Sequence, residues 1–79
     1  MKNTEKFHTP IVDMKKTGEN ICRLCEERGI SVAEICDTLH LSNQAVYNWR
    51  NGKSLPSTDN IVALIQLFGV LFEEIVVLK

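Results

Sequence analysis

The sequence predicts an all-α fold, a compact bundle of five short helices. Three observations point there. Apolar residues recur at i, i+3, i+4 and i+7 in successive segments, the period of a helix with one buried face. Ser31, Ser42 and Ser57 stand where helices would begin, and Gly29, Gly52 and Gly69 where they would stop. The stretches between these signals are brief, as in a small helical domain.

In order along the chain, residues 1–16 show no helical period and are read as an N-terminal arm, extended or disordered, ahead of a domain over 17–79. The first helix is expected at about 18–28, with Ile21, Leu24, Cys25 and Arg28 on one face. The second opens on Ser31, which forms a capping box with Glu34, and buries Val32, Ile35, Cys36 and Leu39. Ser42 caps the third, which runs to about Asn51. "GKSLPS" is a loop. The fourth starts at Ser57 or Thr58 and buries Ile61, Leu64, Ile65 and Phe68. A last turn offers Phe72, Ile75 and Val76. The segment "PIVDM" could also pair with "IVVLK" as short strands. Only His40 and Leu41 separate helices two and three, so the turn is sharp and the pair reads as a helix-turn-helix.

Composition bounds the function. The chain of 79 residues is 44% hydrophobic and 24% charged, which suits one small domain with a modest core. No apolar run reaches the roughly 18 residues of a membrane span, and no apolar block follows the N-terminal lysines, so the cytoplasm is the expected location. Three cysteines, an odd number, argue against a disulfide-stapled module. Cys22, Cys25, Cys36 and His40 have spacings that a zinc site could use. However, Cys25 and Cys36 fall on apolar faces, where a small hydrophobic residue is expected, so packing is the preferred reading and no metal or other cofactor is assigned. Neither histidine has a nucleophile or carboxylate placed beside it, and the four glycines are isolated, so no enzyme and no small-molecule substrate are expected.

The net charge of −1 is uninformative, but its distribution is not. Between Thr38 and Thr58 there is no Asp or Glu, while His40, Arg50 and Lys53 fall inside. In this acid-free stretch, "SNQAVYNWRNGK", a turn of 100° per residue puts Val46 and Trp49 inward. Gln44, Tyr47, Asn48 and Asn51 then face outward, with Asn43 at the N-terminal edge. Surface helices ordinarily carry Glu and Lys, whereas this one carries amides. Asn and Gln can pair bidentately with adenine N6 and N7 in the major groove, which admits a helix. Asn43, Gln44, Tyr47 and Asn48 are therefore the candidate base-reading residues. Ser42, Arg50, Asn51 and Lys53, with the amides opening helices two and four, are candidates for the DNA backbone.

Residues 18 to about 75 resemble the Xre-type helix-turn-helix family, the phage repressor and Cro-like domains. "WRNGK" with Pro56 and Ser57, followed by "IVALIQLFGV", carries most of the likeness. The resemblance implies a lambda-repressor-like five-helix domain that binds operator DNA, often as a two-fold dimer. By position it assigns base reading to Asn43, Gln44 and Asn48, and backbone contact to Asn51 and Lys53. Four positions depart from the family pattern: Val32 replaces a glutamine, His40 a glycine in the turn, and Cys25 with Arg50 a buried Arg–Glu pair. Arg50 is then left for a phosphate or a nearby Glu. Val62, Leu67, Leu71, Val77 and Leu78 exceed what the core requires and suggest a homodimer face. The alternative is a protein-interaction module on the same scaffold, binding a toxin or another regulator.

Overall fold

The computed structural model describes residues 11–79, and most of the expected arm lies outside them. Five helices follow in order: α1 (Met14–Arg28), α2 (Val32–Leu39), α3 (Asn43–Arg50), α4 (Thr58–Phe68) and α5 (Phe72–Ile75). Helix α1 starts four residues before the expected position. Asp13 is its N-cap, with Oδ1 accepting from the Lys16 amide at 3.0 Å. Thr17 and Gly18, poor helix formers that resemble a break in the sequence, are both buried inside this first turn and a half. A Cβ on Gly18 would lie 2.3 Å from the Trp49 carbonyl oxygen and 2.9 Å from that of Arg50. Only glycine lets α1 cross the end of α3 this closely.

Ser31 and Glu34 form the expected capping box, and α2 ends on His40 in the left-handed region at φ 59°. Ser42 and Ser57 cap α3 and α4 as expected, and Gly29 and Gly69 close α1 and α4. Ile21, Leu24, Ile35, Val46, Leu64 and Ile75 are sealed completely or nearly so, with Trp49, Phe68 and Val76 beside them. Each such side chain contributes about 1.5–3 kcal/mol by leaving water.

Two core expectations are corrected. Phe72 is 51% exposed, whereas Val70, just past the left-handed Gly69, is 8% exposed and joins the core. Arg28 does not pack on the apolar face. Its Nε donates to the Phe68 carbonyl at 2.8 Å, joining the ends of α1 and α4. A cation suits a helix C-terminus, where carbonyls lack partners.

The C-terminal segment returns across α1. Val12 and Leu78 form one antiparallel bridge, so "PIVDM" and "IVVLK" do meet. The Asp13 amide donates to the Val77 carbonyl at 2.7 Å and the Lys79 amide to that of Ile11 at 2.8 Å. The buried Thr17 hydroxyl accepts from the Val77 amide at 3.0 Å, and Asn20 Nδ2 donates to the Ile75 carbonyl at 3.2 Å. These bonds fix the start of α1, and through Gly18 they fix α3. Among the described residues no helix is long and apolar enough to cross a membrane.

Candidate nucleic-acid interface

Helix α3 is held at its start by Ser42, whose Oγ accepts from the Ala45 amide at 3.2 Å. That leaves the hydroxyl proton on an exposed side chain as a donor. Val46 (0% exposed) and Trp49 (4%) point inward, as the spacing predicts. Asn43, Gln44, Tyr47 and Asn51 are exposed and Asn48 is half-buried, so the predicted base-reading residues share one outward side.

The amides are ordered by one another. Gln44 Nε2 donates to Asn48 Oδ1 at 2.9 Å, a pair at i, i+4. Gln44 Oε1 and Asn48 Nδ2 remain, so the pair presents an acceptor and donors side by side. At the N-terminal edge the Cys36 thiol donates to Asn43 Oδ1 at 3.1 Å, leaving that amide its donors. Tyr47 is 46% exposed, and the Arg50 guanidinium carbon stands 5.7 Å from its ring centre, within cation–π range.

Arg50 has no Glu partner among the described residues. Its Nε donates to Cys22 Sγ at 3.0 Å, and this bond, before any other influence, raises the guanidinium pKa above its usual value. The one ion pair among the described residues joins Arg23 to Glu27 along α1. The neighbouring Cys25 is buried, and burial pushes its thiol pKa up despite Arg50. Two cysteines therefore touch α3, one near each end, and the third fills the core. Among the described residues no three His, Cys, Asp or Glu side chains are grouped to hold a metal ion.

The helix N-termini expected to hold phosphates also carry acidic residues. At α2 the Glu34 carboxylate accepts from the Ser31 amide at 3.1 Å, so the chain's own anion occupies that end. At α4, Ser57 Oγ accepts from the Asn60 amide and Asp59 lies in the first turn. Each end thus has a carboxylate near the positive end of its helix dipole.

The far end of α3 is different. Asn51 and Lys53 are exposed, and Gly52 between them has φ +74°. A Cβ on Gly52 would lie 3.0 Å from the Lys15 Cα, so the loop rests on the first turn of α1. Lys15 is exposed there. The sequence reading missed it because residues 1–16 were assigned to an arm. The signal was available in Asp13, which can cap a helix that begins one residue later.

A family profile described as helix-turn-helix matches residues 22–75. The crystal structure of the DNA-binding domain of BldD superposes with a TM-score of 0.68 at 15% identity. The match covers 82% of this chain and 94% of that one. At that identity the likeness establishes the fold. The curated proteins offer no match.

Proposed function

This chain belongs to the Xre-like helix-turn-helix family, and on that premise we propose that it is a sequence-specific DNA-binding transcriptional regulator of the cytoplasm that lays α3 in the major groove. It works by binding rather than by catalysis. The observation that carries this reading is the outward side of α3, where Asn43, the linked pair Gln44–Asn48 and Tyr47 stand clear of the core in a stretch free of acids. Carboxamides presenting an acceptor and a donor together match the N6 and N7 edge of adenine, so half-sites containing adenine are expected. Ser42, Asn51 and Lys53 hold the sugar-phosphate backbone, with the terminal nitrogens of Arg50 beside them.

Each neutralised phosphate contributes a slope of about −0.9 in log K against log salt, and so few cations bind weakly as one copy. A homodimer on half-sites about 34 Å apart remedies this. Leu71, Leu78 and Val62 are 63%, 62% and 49% exposed and are the apolar residues available to it, while Leu67 is half-buried against the core and Val77 is half-buried. Selection of bound duplexes from a random pool, with the solution mass measured alongside, tests both parts. An enriched two-fold sequence and twice the chain mass are expected. No enrichment over unselected DNA overturns the specific reading.

The same exposed residues, with Phe72, favour a second reading in which the domain binds a partner protein. In that case mixed duplex DNA shows no salt-dependent association, and the α3 amides are silent on substitution.

A further inference from the structure

We infer that Lys15, in the first turn of α1, is a second cationic contact for the DNA backbone and forms a clamp with Lys53 across Gly52. The inference rests on the DNA-binding reading above and deepens it.

Its basis is a juxtaposition across the fold. Gly52 combines a left-handed φ with a close approach in which the nearest atoms to a Cβ would be the Lys15 Cα at 3.0 Å, its amide nitrogen at 3.3 Å and its Cβ at 3.5 Å. Lys53, the next residue, is exposed, as is Lys15. The backbone at both lysines is tied down. The Lys53 amide donates to the Asn48 carbonyl at 2.8 Å, and Asp13 caps α1 one residue before Met14. Gly18, one turn after Lys15, seats α1 on the last carbonyls of α3. The two ammonium groups therefore extend on four-carbon stems from fixed points on either side of the loop that follows the recognition helix.

The electrostatics agree. Neither lysine forms an ion pair among the described residues. Acids near Lys15 are Asp13, whose Oδ1 is committed to the Lys16 amide, and Glu19 one turn on, which makes no ion pair. No acid stands between Thr38 and Thr58. Two like charges on either side of one loop, neither held in an ion pair, favour an anion between or beside them. At the start of α2, in contrast, the Ser31 amide donates to Glu34. A duplex seated on α3 therefore meets a pair of cations at the α1 end of the helix.

Salt-dependent binding to a mixed-sequence duplex tests this without knowledge of the operator, since backbone contacts are sequence-independent. The comparison is among wild type, Lys15→Gln, Lys53→Gln and Lys16→Gln. Lys16→Gln removes the same charge one residue away, without the Gly52 contact. Lys15→Gln and Lys53→Gln are each expected to reduce the slope by about 0.9. Between 50 and 200 mM salt each variant then loses about 3.5-fold less affinity than wild type, with folding unchanged by circular dichroism. Lys16→Gln should leave the slope near that of wild type. A wild-type slope in Lys15→Gln, or an equal loss in Lys16→Gln, overturns the clamp while leaving DNA binding intact. No binding by the wild type overturns the DNA reading and the clamp with it.

Discussion

On its inner side α3 sets Val46 and Trp49 against the core, and Gly18 of α1 lies so close beneath that no Cβ fits. On its outer side it sets four polar or amphipathic side chains whose contacts are one hydrogen bond between amides, one to a thiol, and the Arg50 guanidinium over Tyr47. One eight-residue helix thus carries a side where volume decides and a side where hydrogen-bond direction decides. The difference teaches where substitutions act: inner changes are read in stability, outer changes in binding. A helix this short is marginal alone, so the inner packing is what presents the outer amides in a fixed direction.

The largest effect that could break this division belongs to Trp49. Trp49→Ala should lower unfolding free energy by about 3–5 kcal/mol, a large part of what a domain this size has. Denaturant unfolding measures it, and near-wild-type stability would mean that the indole does not carry the inner side. Gly18→Ala comes next, at roughly 1–3 kcal/mol or more, because the obstructing atoms are backbone carbonyls that cannot rotate away. Ala ordinarily favours helix over Gly, so a stabilised Gly18→Ala would show that α1 and α3 lie further apart than described.

On the outer side, Gln44→Ala and Asn48→Ala should each weaken specific binding by roughly 1–3 kcal/mol while the thermal midpoint stays put. The double variant should lose less than the sum, since each single change already breaks the 2.9 Å bond between the two amides. Titration against the selected duplex and a scrambled one checks this. Equal losses on both duplexes refute sequence reading by these residues, and strict additivity means that the pair does not act as a unit.

The division itself was legible beforehand, and what was missed has a common cause. Val46 and Trp49 are three apart on a segment capped by Ser42, so local periodicity was enough to orient α3. The capping box at Ser31 and the left-handed stop at Gly69 are local signals too. The start of α1 was placed at 18 rather than 14 because the reasons for Gly18 and Thr17 are distant: one admits the Trp49 carbonyl, and the other receives the Val77 amide. Phe72 was placed inside because nothing local reveals that Val70 is buried and Phe72 is not. In the site, the outward amides were legible from spacing, whereas Lys15 beside Gly52, Cys22 on Arg50 and Cys36 on Asn43 join separate helices. Such pairings leave no trace in a period of 3.6.

The smallest expected effect concerns the hinge between the two helices of the motif. His40 holds φ 59° and ψ 50°, the lone non-glycine at positive φ among the described residues, and it is exposed. An L-residue there costs about 1–2 kcal/mol, and glycine returns roughly 0.5–1 of that as chain entropy. His40→Gly should therefore stabilise the fold by up to about 1 kcal/mol, seen as a higher denaturant midpoint at constant slope. If the angle between α2 and α3 is set by packing around Ile35 and Val46, as their complete burial indicates, DNA affinity will not change. A stabilised variant with altered affinity would instead mean that the turn residue helps to aim α3, and the presentation of the outer face would then depend on the hinge as well as on the core beneath it.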